Sequence, residues 1–497
     1  GSSLCHRKFE GWTHTINCPK DGLQLTQPMS DLELEDLPTS HWSSWQVAAL
    51  IFVTGLSLFN FSYSASNIGG ILLYLDSAHS DCSHEAICLH SSLWKGLLVS
   101  SCLVGAFFGA LFAGPLADHF GRRATLLTNN WFFILGSLSC AWSPGIVSLV
   151  ISRCVVGLGV GAASALVHVY IGEVVPASRR GEHGAILAMM GTGGILVANL
   201  VCWAVPHWRW VFAFGCLPAL LQVICGRTMP ESNRNQPEAK YLARRSFEVV
   251  CMEGTDCMDC EDPEVEEAVL ESTASWANLW QSMRSGEALL PLGIGCGLHI
   301  LAQATGINVI IYYGPKMFSL AGFPSSTAIC LSAGISACQM ISTLLLSRLV
   351  DKVGRKPMSY IGLVFMTMSL LGIASSFLLP ASHLAGWIAL ISCFCFRVAF
   401  SVSWGPLPYI ITAEIFPEDI RAPGVSLCLA VKWVANFTIA LTWLPLSECM
   451  TLAGTFALYA AICVLAFFFL TFYVPETSGK PLSQVTKVWN KFQDESP

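Results

Sequence analysis

Apolar residues run through this chain in long unbroken stretches, not in the alternating or amphipathic patterns of a soluble domain. About twelve stretches reach the roughly 20 apolar residues that a helix needs to cross a bilayer. They begin near Trp45, Trp94, Ala124, Ile146, Gly184, Trp210, Leu289, Ser326, Met358, Ala385, Ala422 and Thr451. Polar segments divide the chain into a tail (1–44), a six-helix block (45–230), a linker (231–287), a second six-helix block (288–475) and a closing tail (476–497). The linker centres on the acidic run CEDPEVEEAVLES and predicts one or two short surface helices. The first 44 residues show no charged-then-apolar leader, so no secretory signal is read there.

Composition supports a membrane chain, since 53% of the 497 residues are hydrophobic and only 12% charged, with a mean hydropathy of +0.57. The net charge of −6 offers no basic surface for nucleic acid. Basic residues set the orientation. Arg122 and Arg123 follow the second stretch, Arg179 and Arg180 the fourth, and Lys352, Arg355 and Lys356 the eighth, whereas loops 76–92, 380–385 and 444–449 contain no Lys or Arg. The basic loops, and with them both termini, are expected in the cytosol. Most of the 21 cysteines fall inside apolar stretches and imply no disulfide scaffold. Cys82 and Cys88, in an outward loop, form a candidate disulfide, and Cys251, Cys257 and Cys260 lack the fourth ligand of a zinc site. The glycosylation patterns at Asn60 and Asn436 fall within spans. No nucleophile elbow, P-loop or HExxH is present, and no cofactor, metal or enzymatic reaction is expected.

The chain also repeats itself. LADHFGRRA returns as LVDKVGRKP, EVVPASRR as EIFPEDIR and PES as PET, in the same order and at offsets of about 240 residues. Two homologous six-helix halves follow, the parallel repeat of alternating-access carriers. Asp118, Arg122, Glu173 and Arg180, with their counterparts Asp351, Arg355, Glu414 and Arg421, lie at cytosolic helix ends. Opposite charges there can clamp the halves into an outward-facing state, and Arg153 and Arg397 are assigned to the same network. The alternative is a set of helix-end charges resting among lipid headgroups.

Polar side chains inside an apolar span require partners. Gln303 and Asn308 in QATGINVIIYYG offer both donors and acceptors, which suits sugar hydroxyls, and interhelical hydrogen bonding is the alternative use. Five residues turn an ideal helix by about 140°, so Asn308 reaches the side of His299, Gln303 and Tyr313 only if Gly306 breaks the helix. In WGPLPYIITAE, Pro406 and Pro408 remove two helix donors and place a bend beside Trp404 and Tyr409.

The repeated Asp-x-x-Gly-Arg-[Arg/Lys], Pro-Glu-Ser and Pro-Glu-Thr at the ends of the halves, HWRW before the sixth span and Gln-x-x-Gly-x-Asn-x-x-x-Tyr-Tyr in the seventh resemble the sugar porters of the major facilitator superfamily. That resemblance, over about residues 45 to 480, implies an all-α membrane protein of twelve transmembrane helices with cytosolic termini. It implies a monomeric carrier of hexoses or other monosaccharides, with the lipid bilayer and the sugar as its partners, most simply in the plasma membrane. It adds Gln339, Trp433 and Asn436 to the sugar site. Departures modify the picture. Ser64 stands where proton-coupled members carry an aspartate, which points to facilitated diffusion, with His168, His299 and Lys432 as possible proton carriers otherwise. Met189, Ala302 and His299 replace glutamines, Lys432 replaces an asparagine, and PESNRNQ lacks the usual Pro-Arg-Trp continuation. For Lys432 three roles are open: donating hydrogen bonds to a neutral sugar, which is the reading preferred, attracting an anionic substrate, or carrying a proton. Proton-coupled, polyol and organic-anion carriers of the same fold, and a sugar sensor without transport, are the alternative functions.

Overall fold

The computed structural model describes residues 16–17, 24–25, 43–75, 89, 91–174, 180–232, 276–380, 382–417 and 420–474. Apart from one antiparallel pairing of Ile16–Asn17 with Gln24–Leu25, the regular elements described are helices. Ten helical stretches are long and apolar enough to cross a membrane. One of them, Pro423–Tyr473, is two helices merged across Thr451 (φ 66°), and the 20-residue helix Arg122–Ala141 is an additional, more polar crossing. These bring the spans to twelve. The first six are Ser44–Leu75, Ser92–Phe120, Arg122–Ala141, Ile146–Val174, Arg180–Ala204 and the pair Trp208–Phe214 with Cys216–Cys225. The second six are Leu289–Ala304 with Ile307–Leu320, Ser325–Val353, Arg355–Leu378, His383–Val402 with Leu407–Ile415, and the two halves of Arg421–Tyr473. Thr451 starts the twelfth span as a cap, its Oγ1 accepting from Gly454 N at 3.2 Å. Cys82, Cys88, the linker cysteines, the closing tail and the first tail apart from 16–17, 24–25 and 43–44 lie outside the described residues.

Without a hydrophobic drive between helices in lipid, close packing must hold the bundle. Gly105 and Gly109 in the second span face Gly157 and Gly161 in the fourth. A Cβ on Gly161 would stand 1.9 Å from the Ala106 carbonyl oxygen, so only glycine lets these backbones meet. The sequence repeat recurs in the backbone: Gly121 (φ 95°, ψ 150°) and Gly354 (φ 98°, ψ 158°) turn the chain alike between the second and third spans of each half.

The halves meet where the second span packs on the eleventh, the fifth on the eighth, and the first on the seventh. Gly96 lies against Leu441, Gly69 against Tyr312 and Asn199 against Ser336. At the outer ends, the Ser92 hydroxyl donates to Glu448. Among the described residues these contacts lie from mid-span to the external ends.

Candidate functional site

The seventh span breaks where Gly306 adopts a left-handed conformation (φ 85°, ψ 13°) that a side chain would strain. A Cβ there would also meet Tyr459 Cδ2 at 2.6 Å. The break swings Asn308 back over the preceding helix, and its Nδ2 donates to Gln303 Oε1 at 2.5 Å. Thr305 is spent locally, its hydroxyl donating to the Ala302 carbonyl at 2.9 Å. The tenth span breaks as well, between Val402 and Leu407, where Pro406 and Pro408 withdraw donors. The two interruptions face one another across a cavity of about 130 Å³ whose polar lining includes His299, Gln303, Asn308, Trp404, Tyr409 and Lys432.

His299 is 1% exposed, its ring lies edge-on to Tyr409 at 5.0 Å, and neither ring nitrogen has a hydrogen-bond partner. Lys432 Nζ lies 4.3 Å from the centre of the Trp433 ring and 5.3 Å from that of Tyr409. Trp404 lines the cavity and anchors itself by donating from Nε1 to the Ser359 carbonyl at 3.3 Å. Trp433 sits beside the cavity, edge-on to Phe61 of the first span at 5.9 Å. Asn436 donates to the Tyr312 hydroxyl at 3.2 Å and leaves its own Oδ1 without a partner.

Four expected site residues, Tyr313, Gln339, Trp433 and Asn436, do not line the cavity, and the first two are occupied elsewhere. Tyr313 does not line the cavity; its hydroxyl donates to the Ala440 carbonyl at 2.8 Å and its ring packs on Trp443 at 4.4 Å. Gln339 accepts a hydrogen bond from Arg397 in the tenth span and is likewise absent from the lining. Ile307, Ile311 and Phe400 do line it, and as apolar residues in apolar spans they carry no sequence signal that separates them from lipid-facing neighbours. Asn60 and Asn436 are 0% and 2% exposed, which excludes both as glycan acceptors.

The charged network needs correction on one point. Arg153 and Arg397 do not join it: Arg153 donates to the Ser64 carbonyl at 3.4 Å and Asn67 Oδ1 at 3.5 Å, well inside the bundle, and Arg397 meets Gln339. Their spans descend from the external side, so these positions lie far from the cytosolic ends. Among the described residues, the ion pairs of the network stay inside one half. Arg122 meets Asp118 at 2.5 Å and Glu173 at 3.4 Å, and Arg355 meets Glu414 at 3.4 Å. Arg421 donates from Nε to the Phe416 carbonyl at 3.3 Å, and the side chains of Arg180 and Asp351 lie outside the described residues. The PES segment completes the first cluster, with Glu231 accepting from the Arg123 backbone at 3.2 Å and Ser232 donating to Glu173 at 2.5 Å. The repeated motif thus ties the cytosolic ends of each half together internally.

Two broken helices facing each other over a central cavity, within two repeated six-helix halves, define an alternating-access carrier of the major facilitator type. A family model described as Sugar (and other) transporter matches residues 48–489, and the chain belongs to that family. It is 34% identical over 451 residues to a glucose transport protein of Synechocystis sp., covering 84% of this chain and 95% of that one. It is 31% identical over 435 residues to a D-xylose transporter of Levilactobacillus brevis, covering 86% and 92%. Among solved structures it is similar to the inward open conformation of the xylose transporter XylE from E. coli, with a TM-score of 0.70 and 26% identity over 89% of this chain and all 100% of that one. Proteins of this family are transporters and not enzymes.

Proposed function

We propose that this chain moves a monosaccharide across the membrane by alternating access, as facilitated diffusion, through the cavity between the broken seventh and tenth spans, and that it does so in the plasma membrane. The observation that carries the reading is the convergence of His299, Gln303, Asn308 and Lys432 on one buried cavity. Amides joined by one hydrogen bond retain capacity for hydroxyls, and a ring with two unpartnered nitrogens seeks a ligand. Relatives named for xylose and glucose support the substrate class. Uniport is favoured by Ser64, 3% exposed, whose side chain is a neutral hydroxyl that carries no titratable proton at the position where proton-coupled sugar porters are expected to have an aspartate.

Purified protein in sealed proteoliposomes is expected to show saturable uptake and counterflow of a labelled monosaccharide with no imposed pH gradient. Uptake that needs such a gradient would establish proton symport, and binding without flux would establish a sensor. A tagged full-length chain followed by fluorescence is expected at the cell surface.

A further inference from the structure

We propose that the cargo is anionic: a polyhydroxylated carboxylate, that is a sugar acid, whose carboxylate rests on the Lys432 ammonium. The proposal depends on the carrier reading above and adds the charge of what is carried.

Lys432 is 8% exposed and lines the cavity. The faces of Trp433 and Tyr409 attract its charge, yet an aromatic face is no substitute for the hydrogen-bond acceptors that three N–H donors require. Among the described residues no carboxylate, carbonyl or hydroxyl engages it, and no Asp or Glu lines the cavity. His299, in the same lining, adds two ring nitrogens without partners. The surroundings have the same sign. The charged residues buried in the described structure are Arg122, Arg153, Lys316, Arg397 and Lys432, all of them cations. Arg122, at the cytosolic end, is balanced by Asp118 and Glu173, whereas Arg153 and Arg397 meet neutral oxygen acceptors.

An unbalanced ammonium among buried side chains is held most favourably by a ligand that brings the opposite charge, because Coulomb attraction strengthens as the dielectric falls. A neutral sugar supplies hydroxyl acceptors but leaves the charge uncompensated. One ammonium matches one carboxylate, while the dianion of a sugar phosphate would leave excess negative charge. Gln303 and Asn308 remain for the hydroxyls, so the cavity separates one charged end from one polyhydroxylated body.

The test uses the full chain in proteoliposomes with labelled glucuronate and labelled glucose, under a valinomycin-clamped potassium potential. Glucuronate is expected to enter saturably, to compete against glucose uptake, and to accumulate above its external concentration when the interior is held positive, since each cycle moves one negative charge. Lys432→Gln is expected to lower the ratio of glucuronate to glucose uptake by at least about tenfold, and Lys432→Arg to preserve it. Melting temperatures of both variants check that they fold. Saturable glucose uptake that glucuronate neither accompanies nor inhibits overturns the anionic cargo and leaves the sugar carrier intact. The same holds if Lys432→Gln keeps the wild-type ratio, or if glucose 6-phosphate competes better than glucuronate. Failure of both sugars to enter overturns the carrier reading and this proposal with it.

Discussion

Gln303 and Asn308 differ in how far the sequence exposes their use. Both amides stand out in an apolar span, but Asn308 reaches Gln303 only because Gly306 turns left-handed, a tertiary outcome that periodicity does not contain. Tyr313 shows the converse. A tyrosine in a membrane helix reads as a polar group awaiting a ligand, yet its hydroxyl finds the Ala440 carbonyl and the ring is fully buried. Direction after a helix break is invisible in sequence, and so are the apolar cavity walls at Ile311 and Phe400. Gln303→Ala and Asn308→Ala are each expected to weaken transport affinity about ten- to hundredfold, the cost of leaving a ligand hydroxyl unpaired. Uptake titrations paired with melting curves check this; an unchanged affinity with a collapsed yield would make the amides interhelical glue. Tyr313→Phe, by contrast, is expected to lower the melting temperature with little change in affinity.

At the scale of elements, the apolar stretches predicted every crossing to within four residues at its start, including the third, whose Arg122, Asn129 and Asn130 make it the most polar. Length and apolarity decide a membrane helix, so these were legible. Breaks inside spans were legible only where glycine or proline marks them, at Gly306, Pro406 and Pro408. Gly306→Ala is expected to cost on the order of 1–3 kcal/mol through its positive φ, with a further penalty from Tyr459, 2.6 Å from the added carbon. A lower melting temperature together with lost uptake would show that the same break both builds the cavity and stabilises the span. Gly161→Leu is expected to abolish the contact between the second and fourth spans, where even a Cβ has no room, and fluorescence-detected size exclusion of the detergent extract should show no monodisperse peak.

Across the whole molecule, the charged motifs announced the repeat of the halves, whereas the clamp they suggest turns on Arg180 and Asp351, whose side chains lie outside the described residues. The spacing of the motifs reports which helix ends are equivalent, whereas the partner each charge chooses depends on which side of the carrier is closed. Among the described residues the halves meet at their external ends, where Ser92 donates to Glu448. In a Cys449→Ser background, which removes the exposed neighbouring thiol, Ser92→Cys with Glu448→Cys is expected to stop exchange on oxidation and to recover on reduction. Exchange that continues through a formed cross-link would mean that these ends do not need to part.

The equivalence of the halves in sequence conceals a difference in stiffness. The first and fourth spans run uninterrupted for 32 and 29 residues, and the fourth is pressed against the second at backbone distance. Their counterparts, the seventh and tenth, are each cut in two. The second half therefore holds joints at the two positions where the first half has unbroken rods, and the labour is divided between equivalent spans, one pair a frame and the other a hinge. Amide exchange should record this division directly, with protection across the first and fourth spans outlasting that at residues 303–309 and 402–408.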